Sequence, residues 1–158
     1  MEAPVLVFAG FWKRFAAYLI DSIVITIVAV ILVLPFIVVL GVGVALTASM
    51  EDPAHALPAI VGAVLAYLFV VILAMVGEWL YFALMESSQH QGTLGKMAVG
   101  IKVTDMNGAP VSFGRATGRF FAKFISGLTF GIGYIIAGFT EKKQALHDMI
   151  AGCLVVNK

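Results

Sequence analysis

Residues 22–50 read SIVITIVAVILVLPFIVVLGVGVALTASM, 29 positions without a charged side chain. Crossing about 30 Å of hydrocarbon takes roughly 20 apolar residues, whereas an apolar helix buried in a soluble core runs to about 14. The stretch is therefore predicted to cross a membrane. A second run, PAHALPAIVGAVLAYLFVVILAMVG over residues 53–77, holds 25 positions without Asp, Glu, Lys or Arg. It passes the same test. The chain as a whole is 61% hydrophobic and only 12% charged, about half the charge of an ordinary soluble domain.

The first run is too long for the roughly 7–15-residue core of a cleaved signal peptide, and a retained anchor is expected. Asp21 stands at its start, and no clear small-residue cleavage site follows. The first helix is expected from about Gly10–Arg14 to Thr47, with Pro35 in its interior. In lipid such a proline is tolerated where neighbours re-satisfy the freed backbone. Ser49–His55 reads as a polar loop, and the second helix as about Ala59–Met85. Glu78, Trp79, Tyr81 and Phe82 near its far end suit a membrane interface.

Beyond Glu86 the pattern changes. Val99, Ile101 and Val103 alternate with Gly100, Lys102 and Thr104, the period of a strand. Asn107-Gly108 is a hairpin-turn signal, with Val111 and Phe113 expected on a returning strand. Cys153–Val156 offers a third short strand. The third apolar segment, residues 124–140, has 17 uncharged positions, roughly 25 Å if helical. Gly131 and Gly133 fall in its middle. It reads either as a thin third span or as a re-entrant hairpin.

All ten basic residues lie before Asp21, between Lys96 and Lys123, or after Thr140. The loop between the first two spans holds Glu51 and Asp52 and no Lys or Arg. Excess positive charge marks cytoplasmic segments, so the N-terminus and the Lys96–Lys123 region are expected in the cytoplasm. The same rule favours the hairpin, which keeps Lys142 and Lys143 inside. The expected fold is thus an all-α membrane protein in one domain, residues 1–158. It is a small helical bundle with two full spans, a third span or re-entrant hairpin, and a small cytoplasmic β-element. The expected location is a cytoplasmic membrane, with multiple passes.

Ionisable groups inside such helices carry the chemical interest. Arg14 and Asp21 are seven residues apart, hence two turns apart on one helix face, with Tyr18 between them. Glu78 on the descending helix reaches a similar depth. A charge at such depth costs roughly 2.5–3.5 kcal/mol on insertion scales, so these groups are expected to cluster. Two carboxylates beside one arginine make one of them a candidate for proton exchange. Carboxylate oxygens also suit hard cations, and Ser22 and Thr26 could add hydroxyl ligands.

Gly92-Thr-Leu-Gly95-Lys96 lacks the first glycine of a phosphate loop, since His90 stands there, and Met97 replaces its Ser or Thr. It reads instead as a Gly-rich connection with Lys96 at the lipid headgroups. His55, His90 and His147 show no metal-ligand spacing. The lone Cys153 excludes a multi-cysteine zinc site. No nucleophile–base pattern stands out, so no enzyme, cofactor or metal is expected. The basic stretch Lys96–Lys123 beside a membrane points to anionic lipid rather than nucleic acid.

Three blocks, GFWKRFAAYLIDSIV, GTLGKMAVGIKVTDMNGAPVSFGRATGRF and KKQALHDMIAGCLVV, resemble the RDD family of bacterial membrane proteins. The likeness covers almost the whole chain in the expected order. The Arg and two Asp that name the family match Arg14, Asp21 and Asp148 here. Cys153 stands where the family often has Thr, a mild change. The resemblance implies a multi-pass protein with a proposed transport role, some members being associated with sodium–proton antiport. It adds Asp148 to the cluster, while the residues alone read His147-Asp148 as a helix cap or as part of a polar site.

Together these readings lead to secondary transport, with monovalent cation–proton exchange through Arg14, Asp21, Glu78 and Asp148, supported by Tyr18, Ser22, Thr26 and His147. Two or three spans cannot enclose a pathway, so a homo-oligomer or larger membrane partner is expected. The alternative is a non-transporting accessory or scaffold subunit, in which the same charges fasten helices together.

Overall fold

The computed structural model describes residues 6–48 and 56–158, and the polar loop expected at Ser49–His55 lies outside them. Two long helices dominate: α1, Phe11–Ala48, and α2, Ala56–Ser87. Pro35 lies inside α1. The chain divides into two compact units, one of residues 24–78 and one of residues 1–23 with 79–158.

The unit of residues 24–78 consists of the inner parts of α1 and α2. Its apolar side chains face outward: Val39 is 72% exposed, Leu57 71%, Leu32 69%. A core helix of a soluble protein would hide these groups, so the exposure is decisive. An apolar helix that stays uncovered needs lipid as its solvent. Val24–Ala48 is about 37 Å of helix and Ala56–Glu78 about 35 Å, each enough to cross with some tilt. Both expected helices are present, each long and apolar enough to cross a membrane.

The other unit is smaller-grained. After α2 come a short helix α3, Leu94–Ala98, and strand β1, Ile101–Asp105. Helix α4, Phe113–Leu128, is followed by a one-turn helix α5, Ile132–Ile135, and a 3-10 turn, Ile136–Gly138. Helix α6, Leu146–Ala151, and strand β2, Cys153–Asn157, close the chain. The strands pair antiparallel with Val103 opposite Val155, and Phe8 bridges Val156 on the outer side of β2. Ile101, Val103, Cys153 and Val155 meet Ala9, Ala17, Ala83, Val111 and Ala116 in one buried core.

One expectation about this unit changes. The Asn107-Gly108 turn forms, with the Asp105 carboxylate accepting the Asn107 and Ala109 N–H groups. However, Val111 and Phe113 form no strand. Pro110 has no N–H to give a ladder, and Ser112 caps α4 by accepting the Arg115 N–H. The partner of β1 is β2. Residues 124–140 are not one helix, because the chain turns at Phe130 and Gly131, with φ 53° and 82°. Among the described residues only α1 and α2 are long and apolar enough to cross a membrane.

Candidate functional site

Five charged side chains from five helices form a ladder inside the smaller-grained unit. Arg14 of α1 donates to Asp148 of α6 at 2.5 Å. Asp148 also accepts Arg119 Nε of α4 at 2.7 Å. Arg119 Nη1 reaches both oxygens of Glu86 at the end of α2, at 2.7 and 2.8 Å. Glu86 in turn accepts Lys96 Nζ of α3 at 2.6 Å. Signs alternate along the whole series. Glu86, Lys96, Arg119 and Asp148 are all buried, so each charge depends on its neighbours in place of water.

Local structure aims each group. Asp148 sits in the first turn of α6 and accepts the Ala145 N–H at 3.1 Å, a carboxylate stabilising a helix start. Arg119 shares a face of α4 with Ala116, Phe120 and Ser126, all buried. Arg14 Nε is held by the Ala9 carbonyl at 3.0 Å. Its Nη2 is buried without a hydrogen-bond partner among the described residues.

The electrostatics follow the geometry. Burial alone would raise the Asp148 carboxyl, but Arg119 and Arg14 overcome it and hold the group below the usual carboxylate range. Burial would lower the Arg119 guanidinium, yet Glu86 and Asp148 push it above its ordinary value. For Lys96 burial wins over Glu86, and the ammonium is depressed. Burial, then Arg119, drives His147 down to about 3. The His147 contact to Asp148 at 3.4 Å is therefore between a neutral ring and a carboxylate. The other ring nitrogen lies 3.2 Å from the Ser126 hydroxyl.

Asp21 is buried in the same unit but stands outside the ladder. Its oxygens accept the Thr93 hydroxyl at 2.5 Å, the Gly95 N–H at 2.8 Å and the Tyr81 hydroxyl at 2.9 Å. All three donors are neutral. Gly95 makes the arrangement possible: a Cβ there would fall 2.1 Å from the Ala17 carbonyl oxygen and 2.9 Å from Asp21 Cγ. The Gly-rich segment thus docks α3 on α1, and Lys96 is ion-paired with Glu86 rather than at the headgroups. A buried lysine follows from that docking, because α3 turns its side chain inward.

The structure brings together Arg14 and Asp148, with His147 beside them. Asp21 is held separately. Glu78, Tyr18 and Thr26 are exposed, and Ser22 is half-buried. None of these four side chains makes a hydrogen bond or ion pair among the described residues. The expected carboxylate partner at Glu78 is supplied instead by Glu86, two helical turns further along α2. Glu86, Lys96 and Arg119 escaped the sequence reading. Glu86 looks like a polar helix end, and Arg119 is hidden in a basic run. The available signal was the placing of Arg119 at three-residue spacing from both Ala116 and Ala122, on the apolar face of α4. Among the described residues no three His, Cys, Asp or Glu side chains could together hold a metal ion.

An uncharacterized protein of Bacillus subtilis, YxaI, is 39% identical over the full length of both chains. The uncharacterized membrane protein YteJ of the same organism is 32% identical, over 96% of this chain and 82% of its own. No solved structure matches. Residues 8–152 match the RDD family, and that match takes in Arg14, Asp21 and Asp148 with nearly every element around them: the chain belongs to the RDD family.

Proposed function

We propose that this membrane protein exchanges a monovalent cation for a proton at Asp21. The observation that carries the reading is the contrast among the three buried carboxylates Asp21, Glu86 and Asp148. Glu86 and Asp148 are neutralised by fixed cations at hydrogen-bonding distance. Asp21 has only neutral donors among the described residues. A carboxylate already locked to arginine cannot trade its counter-charge. One held by hydroxyls can, because the Tyr81 and Thr93 oxygens keep lone pairs that can turn toward a cation. Carboxylate and hydroxyl oxygens suit a hard ion. Proton and cation would then alternate on one group, an electroneutral one-for-one exchange.

The ladder would be the rigid frame around this group. The reading puts the N-terminus and the ladder on the cytoplasmic side of a bacterial inner membrane, since residues 24–78 carry no Lys or Arg. It also requires several copies or a larger partner, because two spans cannot line a pathway.

Sodium-, potassium- and lithium-driven proton flux in proteoliposomes tests the proposal, with Asp21→Asn in parallel. Flux that disappears in a folded Asp21→Asn supports it. Flux that persists in the variant moves the exchange elsewhere. A protein without flux for any of the three ions, or one that stays monomeric in lipid nanodiscs, overturns it. The saturated ladder favours a second reading, a non-transporting accessory subunit whose charges only lock helices. Asp21→Asn would then weaken folding or assembly without a flux to lose.

A further inference from the structure

The ladder and Asp21 leave one prominent surface of their unit unused: the second half of α4 and the return that follows it. Phe121, Phe124, Ile125 and Leu128 recur at helical spacing and are all exposed, while Arg119, Phe120 and Ser126 face inward. At the tip Leu128 is 80% and Phe130 98% exposed. Phe130 also takes a left-handed backbone conformation, φ 53°, uncommon for a bulky residue. Water gives no reason to hold an aromatic ring out in this way.

The chain reverses within the segment. The Tyr134 hydroxyl donates back to the Lys123 carbonyl at 2.9 Å. Gly133 packs so closely that a Cβ there would lie 2.8 Å from Ser126 Cα. Lys123, where the segment departs, has Nζ 3.5 Å over the Phe82 ring near the end of α2. Gly138, where it returns, lies beside Phe11 at the start of α1, with an added Cβ 3.9 Å from the Phe11 side chain. Departure and return thus both lie against the parts of α1 and α2 that belong to this unit.

We infer that α4 and α5 form a membrane wedge, whose tip at Leu128–Phe130 enters one leaflet and turns back without crossing. The occupant of the exposed face is lipid. Its apolar surface is of one kind with exposed Phe15, Leu19 and Ile23 on α1 in the same unit. No charged residue interrupts positions 124–140, and charges resume at Glu141, Lys142 and Lys143. An apolar face bounded by basic residues is the pattern of an interfacial helix. The inference rests on the membrane reading and is independent of ion exchange.

The test uses the full chain carrying Cys153→Ala, with Phe130→Cys or Leu128→Cys labelled by a polarity-sensitive fluorophore. The protein is placed in phosphatidylcholine–phosphatidylglycerol vesicles. Lipids bearing a nitroxide at the headgroup, high on the acyl chain or at its end report depth. The expected result is the greatest loss of fluorescence with the upper-chain nitroxide and little with aqueous iodide. Arg115→Cys and Glu141→Cys, flanking the wedge, should react with an impermeant maleimide from one side. Three results would overturn it: quenching by iodide alone, flanks that react from opposite sides, or Phe130→Cys pairs that cross-link between copies without lipid quenching.

Discussion

Arg14 and Asp148 are 134 positions apart in sequence and meet at 2.5 Å. The contact ties the first helix to the last. It is one rung of a ladder whose centre is Arg119, which touches both Asp148 and Glu86. Removing a central rung leaves charges stranded in a dry place, and that cost exceeds the net worth of any single pair.

Arg119→Met is accordingly expected to destabilise the fold by about 3–5 kcal/mol. Thermal unfolding in mild detergent, or the folded fraction on gel filtration, would read it. Combining it with Glu86→Gln should cost clearly less than the sum of the two single changes, since they share one interaction. Glu78→Gln, at an exposed position without a partner among the described residues, should shift stability by no more than about 0.5 kcal/mol.

Two glycines make a paired test. Gly95→Ala puts a Cβ 2.1 Å from the Ala17 carbonyl oxygen. Helix α3 must then move off α1 and weaken the Gly95 N–H bond to Asp21. A loss of about 1–3 kcal/mol is expected for such overpacking. Gly118→Ala meets nothing within 4 Å and lies inside α4. It should be neutral or stabilising by up to about 1 kcal/mol.

Acid should unfold the ladder unit in two overlapping stages. His147 titrates near 6.5 when unfolded but at about 3 when folded. Its folded value is the lower one, so the unfolded chain takes up the proton first. The neutral ring's contribution is intact above about pH 6.5 and is lost as pH falls toward 3. Asp148 is depressed as well, so its contribution is present above about pH 4, the unfolded value, and lost below. Thermal midpoints measured across this range should decline from about pH 6.5 downward. His147→Gln should remove the upper part of the decline and leave the lower.

Cys153 should be inert in the folded protein. Burial pushes its thiol up to about 11, and the residue is fully enclosed in β2. Reaction with a maleimide at neutral pH should be negligible until denaturant is added, because the thiolate is the nucleophile. Labelling of the native protein at the rate of a free thiol would mean that β2 opens.

The two spans and the strand at Ile101–Asp105 were legible in the sequence because each depends on a local pattern: an uninterrupted apolar run, or alternation of period two. The blocks around Arg14, Asp21 and Asp148 were also enough to point to the family. Contacts across the chain were not legible. Asp21 was expected beside Arg14 because the two share a helix face, yet its partners come from Tyr81, Thr93 and Gly95. Glu78 was chosen by its depth along α2, and Glu86, two helical turns further on, cannot be recognised as the ladder's carboxylate without the elements that pack there. Phe113 was assigned to a returning strand because the Asn-Gly turn signal is local, whereas Ser112 starts a helix whose buried face lies far along the chain. Sequence by itself therefore determined the solvent of this protein, since apolar runs answer to lipid or water one residue at a time. Only the tertiary structure decided which charge meets which, because an ion pair forms where backbone packing brings two side chains within hydrogen-bonding reach, and that packing is a property of the whole unit.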